Sequence, residues 1–284
     1  MLSVDRRPRT LLAVHAHPDD ETITTGGTLA RYSADGVRTV VVTCTRGDLG
    51  AVSAAASREP TQSVADLRDR ELAAALACLG VARHVQLGYA DSGMAGAAEN
   101  SRPGAFWAAD LADVTERLLA VIREERPQVL IGYDATGGYG HPDHIKAHLA
   151  TLAAFESAEP SVRPCKLYFV RFPLSWSRDF VGVLRLLGIA APGSAIAGAD
   201  AGPDIKEIGV PDGLVTTIID VQRYIDAKRA ALACHASQFP PDHFLMRMPL
   251  DVARRLWAVE CYSLEAGPRT TRRGRESDLF DGLE

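Results

Sequence analysis

Two short stretches hold most of the side chains able to do chemistry: HAHPDDE at residues 15–21 and GGYGHPDH at residues 137–144. Burying so many ionisable groups is costly unless they pair or bind a cation. His17 and Asp20 stand where an apolar run meets a helical pattern. His141 and His144 are three apart, where Pro142 favours the first turn of another helix. Two imidazoles and one carboxylate make a catalytic zinc set, with a fourth position left for a water whose acidity the metal raises. The carboxylates of Asp19 and Asp20 are neighbours that should diverge, so one can bind metal while the other faces the water as a base. On spacing alone His148, one turn beyond His144, is an alternative ligand. Taken singly, each stretch is a capped helix start with surface histidines; together, each directly after an expected strand, they point to a metal site.

The surrounding pattern positions them. Up to about Arg171, β-rich runs (TLLAV, RTVVVTC, HVQLG, QVLIG, KLYFVRF) alternate with helical ones. The alternation predicts a Rossmann-like α/β fold, a mostly parallel sheet with helices on both faces. Ligands of such sheets sit outside the carboxyl ends of the strands. The loops expected there, HAHPDDE, TRGDLGA, GYADSGMAG and YDATGGYGHPDH, are rich in Gly, Asp and His. Residues 1–175 are expected to form the catalytic core. Residues 176–264 supply a flap, a late strand and helices completing the same domain and substrate site, and 265–284 form a disordered tail. The weakly polar stretch 180–199, broken by Arg185, Pro192 and glycines, suits a mobile flap better than a membrane span; the alternative is a surface loop on a small apolar helix.

Composition narrows the partners. A chain of 284 residues, 46% hydrophobic with a net charge of -5, can bury a sizeable core and offers no basic footprint for nucleic acid. Its basic cluster, RTTRRGRE, is confined to the tail. The N-terminal apolar run is too short for a signal peptide. The five cysteines are odd in number and never form C-x-x-C, as expected of buried thiols in a reducing cytoplasm. These features predict a cytoplasmic protein with a small-molecule partner, bound neither to nucleic acid nor to membrane, with homo-oligomerisation left open.

AHPDDE followed by GGYGHPDH resembles the LmbE-like, or PIG-L, family of zinc-dependent N-deacetylases, within it the branch of mycothiol-biosynthesis deacetylase and mycothiol S-conjugate amidase. The resemblance covers residues 10–158 well and the rest more loosely. It implies that His17, Asp20 and His144 bind zinc, or ferrous iron, and that Asp19 is the general base. His141 would stabilise the oxyanion or protonate the leaving amine, with Asp143 orienting His141. Arg68 and Asp91 match positions that hold sugar or inositol hydroxyls, and Asp48 falls where relatives commonly carry Glu. Tyr139, between glycines, could swing its hydroxyl over the reacting carbonyl. Met94 is expected to pack against substrate or core, Glu21 to orient a ligand or cap a helix, and His235 to enter the substrate site or end a helix. GYADSGMAG resembles the deacetylase, whereas AKRAALACHASQFPPDHF and LWAVECYSLEAG resemble the amidase. The expected function is therefore metal-dependent removal of an N-acyl, mostly N-acetyl, group from a glucosaminyl substrate such as N-acetylglucosaminyl-inositol. The alternatives are an S-conjugate amidase or a deacetylase of a sugar-bearing secondary metabolite. From another class, a non-catalytic nucleotide-binding module competes, but the first turn lacks G-x-G-x-x-G.

Overall fold

The computed structural model describes residues 8–54, 56, 59, 61–189, 209–271 and 274–283. Five strands alternate with helices: β1 (Thr10–His15), α1 (Asp20–Ala34), β2 (Arg38–Thr45), α2 (Val64–Cys78), β3 (Arg83–Tyr89), α3 (Leu111–Glu125), β4 (Val129–Gly132), α4 (Pro142–Ser157) and β5 (Lys166–Arg171). After α5 (Leu174–Leu186) come β6 (Thr217–Asp220), α6 (Ile225–Cys234), two short helices α7 (Phe244–Arg247) and α8 (Leu250–Leu256), and β7 (Val259–Ala266). The sheet order is β3-β2-β1-β4-β5-β7-β6, parallel through β5 and antiparallel thereafter. The expected α/β fold is therefore observed. Successive connections run outward from β1 in one direction and through β4 in the other, so the crevice between the β1 and β4 ends is the switch point where such sheets bind ligands.

Alternation along the central strands builds the layers. Leu11, Ala13, Val41 and Ile131 face a core shared with Leu29 of α1, Leu72 and Leu76 of α2, and Leu232 of α6. Leu12, Val14, Val42 and Leu130 face the opposite core with Leu118 and Ile122 of α3 and Ala150 of α4. Side chains one residue apart point to opposite faces of a strand. Burial on both faces explains why these strands are apolar throughout.

The C-terminal part adds β6 and β7 to the same sheet, and it corrects one expectation: residues 274–283 are packed instead of forming a disordered tail. Lys166, wholly buried in β5, lies 3.4 Å from the Glu276 carboxylate. Leu279 and Phe280 are buried in the α1-side core, and Tyr32 Oη donates to Asp278 at 2.8 Å. A buried lysine needs an anion, and the charged tail supplies it. Nor are all the thiols buried: Cys44 and Cys261 are, Cys78 and Cys165 are exposed, and Cys234 is half-buried. In the expected flap, α5 covers residues up to 186; 190–208 lie outside the described residues.

Candidate active site

β1 ends at His15, and the chain turns into α1 through Ala16–Asp19. The Ala16 N–H donates to Tyr133 Oη (3.0 Å), tying this turn to the loop after β4. Asp20, at the head of α1, accepts the His17 N–H on Oδ2 (2.8 Å). His144 enters from the first turn of α4, and its Nδ1–H donates to Gly137 O (3.0 Å). Gly137 has φ 61°, and a Cβ there would lie 2.5 Å from the His144 Cβ, so only glycine fits.

Three donor atoms converge. His17 Nδ1 lies 3.2 Å from His144 Nε2 and 3.3 Å from Asp20 Oδ2; His144 Nε2 and Asp20 Oδ2 are 3.4 Å apart. A tetrahedral ion with ligands about 2.0–2.2 Å away sets neighbouring donors roughly 3.3–3.5 Å apart, so the triangle has the size of a zinc-like cation. The far nitrogen of His17, Nε2, meets Asp143 Oδ2 at 3.2 Å, and that oxygen accepts the Ser92 N–H at 2.9 Å. A carboxylate behind a ligating imidazole fixes its tautomer and raises its basicity. A wider group of His17, Asp91, His141 and Asp143 also lies within 4.8 Å. So does the set His17, His141 and His144; the triangle with Asp20 is tighter than the wider group, its three distances being 3.2–3.4 Å against 3.7 Å from His17 Nε2 to Asp91. Against the opposing effect of burial, bonds to Asp143 and Asp20 raise His17 to about 10.

Beside the triangle, Asp19 has φ 117° and ψ -29°. The left-handed region costs a non-glycine residue about 1–3 kcal/mol and marks functional sites. Arg68 donates to Asp19 Oδ2 (2.9 Å), Pro18 O (2.5 Å) and Gly47 O (2.8 Å). Burial, reinforced by Asp20 and Glu21 against Arg68 and His235, pushes Asp19 up to about 6. His141 caps α4, its Nδ1 accepting the Asp143 N–H (3.1 Å), so its proton sits on Nε2. Burial, with His17 and His144 nearby, pushes His141 down to about 3, making it a neutral donor. The Tyr139 ring stands edge-on to His144 at 5.0 Å.

These groups share a cavity of about 640 Å³, within the range of small-molecule sites. It also receives Arg68, Asp91, Met94 and Tyr139 from the expected substrate set, and its lining includes Phe172, Trp176, Phe180, Phe239 and Phe244. Several expectations are corrected. The carboxylate of Asp143 serves His17, and only its backbone N–H holds His141. Arg68 is buried and bonded to the Asp19 carboxylate while it also lines the cavity, where its Nε has no partner among the described residues. Asp48 does not line the cavity: it accepts the Asp91 N–H (2.8 Å) and bonds Arg102 (2.5 Å), fixing the Asp91 loop. His235 is fully buried and bonded to Glu21, so it cannot touch substrate. His148 is a buried residue facing Tyr133 O (2.9 Å) and the Phe169 ring, away from the triangle. Tyr133 and Ser92 were missed by sequence reasoning. Asp134, also missed, organises the glycine loop through the Thr136 and Gly138 N–H groups, and the Asp-x-Thr-Gly pattern was its available signal.

Residues 12–155 match the PIG-L family, described as GlcNAc-PI de-N-acetylase. The chain is 42% identical to the 1D-myo-inositol 2-acetamido-2-deoxy-alpha-D-glucopyranoside deacetylase of Streptomyces avermitilis, covering 98% of this chain and 99% of that one. It is 44% identical to the deacetylase of the same name from Rhodococcus jostii, covering 97% and 98%. Among solved structures, a conserved protein of Thermus thermophilus superposes with a TM-score of 0.58 at 23% identity, over 93% of this chain and 98% of that one.

Proposed function

The chain belongs to the PIG-L family, and on that premise we propose that it is a zinc-dependent deacetylase acting on an N-acetylglucosaminyl-inositol. Two relatives over 40% identical along nearly their whole length bear that substrate in their names. The observation that carries the mechanism is the triangle of His17, Asp20 and His144 beside a strained Asp19.

His17, Asp20 and His144 would hold a zinc ion, which would supply a Lewis acid for the amide carbonyl and for the attacking water. Asp19 takes a proton from the attacking water, its carboxylate held by Arg68. His141, with its proton on Nε2, donates to the oxygen on which charge develops. Tyr139, which lines the cavity on its glycine loop beside His144, is the candidate for a second donor to that oxygen. Asp143 keeps the His17 tautomer, and Asp91 and Met94 line the sugar end of the cavity. An imidazole-carboxylate set also accepts ferrous iron, which is the alternative metal.

The aromatic lining of Phe172, Trp176, Phe180, Phe239 and Phe244 supports a second reading, amidase action on a conjugate with an apolar substituent. We keep the cytoplasm as the compartment, since exposed Cys78 and Cys165 are thiols that an oxidising compartment would modify. Released amine from N-acetylglucosaminyl-inositol and from an aryl thiol conjugate, measured side by side with zinc-loaded protein, tests both. Failure to deacetylate the first substrate would refute the main reading.

A further inference from the structure

We infer that His235 and Glu21 are positioning residues for Asp19, so that the C-terminal third of the chain completes the general base; this rests on the reading of Asp19 as that base. The Asp19 N–H donates to Glu21 Oε2 at 2.8 Å. Glu21 Oε1 accepts from Thr22 Oγ1 (2.5 Å) and lies 2.8 Å from His235 Nε2. Both Glu21 and His235 are fully buried, and His235 Nδ1 has no partner, so Glu21 is the only hydrogen-bond partner of the ring among the described residues. A buried carboxylate needs a partner to stay ionised. His235 supplies it at the end of α6, more than two hundred residues away in the chain.

The arrangement grips the one residue whose backbone is strained. Asp19 is held in the left-handed region by Glu21 on its N–H, by the α1 N–H groups of Thr22 (3.0 Å) and Ile23 (3.1 Å) on its carbonyl, and by Arg68 on its carboxylate. The two long-range arms are themselves joined. Glu71, on α2 with Arg68, accepts from Ser237 through both its N–H (2.7 Å) and its Oγ (2.6 Å), two residues beyond His235. Releasing His235 leaves the Glu21 carboxylate short of its partner and lets the Asp19 peptide relax, turning the base away from the cavity. Metal ligation is expected to be left in place, because the Glu21 carboxylate and the His235 ring hydrogen-bond to Asp19, Thr22 and each other and to none of the ligand side chains.

A double-mutant cycle on zinc-loaded protein separates positioning from mere folding. We expect His235→Phe, which keeps the volume and removes the donor, to lower kcat at least ~10-fold, the scale of a misplaced catalytic group. Bound zinc should stay at one per chain and KM within about threefold, as expected when only a transition-state interaction is lost. His235→Gln, which can still donate to Glu21, should recover most of kcat. In an Asp19→Asn background the same His235→Phe change should cost less than about twofold, since the base it positions is gone. An equal loss in both backgrounds, or an unchanged kcat in His235→Phe, overturns the inference while leaving the base assignment intact. Near-normal turnover in Asp19→Asn alone would instead sink the base assignment itself.

Discussion

Buried charge is handled in opposite ways at the sheet rim and in the C-terminal third. In the C-terminal third each buried ion is paired within the fold: Lys166 with Glu276, Lys228 with Glu260 (2.6 Å), His235 with Glu21 (2.8 Å). Glu260 also accepts the Gly27 (2.9 Å) and Thr28 (2.7 Å) N–H groups, and Lys228 donates to Ile23 O (2.9 Å), pinning α1. At the rim, by contrast, His17, Asp20 and His144 direct donor atoms at one another across 3.2–3.4 Å. Buried charges paired with an opposite charge fix geometry, whereas several ligand atoms converging on one point suit a cation. The contrast distinguishes scaffold from site without reference to any motif.

Breaking the rim should have the largest effect. His144→Ala removes one corner of the triangle and is expected to abolish both bound metal and activity, checked by elemental analysis beside turnover. His148→Ala should retain both. Asp19→Asn should keep the metal and lower kcat by roughly 10²-fold or more, the scale of a lost general base; steady-state kinetics of the metal-replete variant checks this.

Arg68 tests where the two regions meet. Its guanidinium lowers the Asp19 pKa, so Arg68→Met should raise it. The base must be ionised, hence activity is present above its pKa and lost as pH falls through about 6 in wild type, or lower with the cation beside it. The acidic limb of the kcat profile should move to higher pH in Arg68→Met, and kcat/KM should fall by a similar factor for N-acetylglucosaminyl-inositol and plain N-acetylglucosamine. Asp91→Ala, on the cavity wall, should penalise the larger substrate more. The scaffold gives the smallest kinetic effect: Glu276→Ala strands a buried lysine and should cost about 3 kcal/mol or more of stability. Thermal denaturation should show the loss, with kcat per folded molecule unchanged.

Much of this was legible in the sequence. The apolar runs gave the parallel strands, and two loops rich in His and Asp identified the rim, because a parallel strand is buried on both faces and its end is where the polar residues resume. Less local features were hidden. The Asp143 carboxylate lies two residues from His141 but turns to His17, a choice made by α4 packing against β1 and invisible to spacing. The tail looked disordered because charge dominates its composition, although Leu279 and Phe280 were a legible hint and Lys166 in an otherwise apolar strand required a distant acid. His235 was noticed as a substrate residue or a helix end, and it does end α6, but no sequence pattern links it to Glu21.

Anomalous diffraction from crystals of the zinc-loaded protein locates the cation. One peak per chain is expected, about 2.0–2.2 Å from His17 Nδ1, an Asp20 carboxylate oxygen and His144 Nε2. A peak on the other side of His17, at Nε2 between Asp91 and Asp143, would contradict this placement.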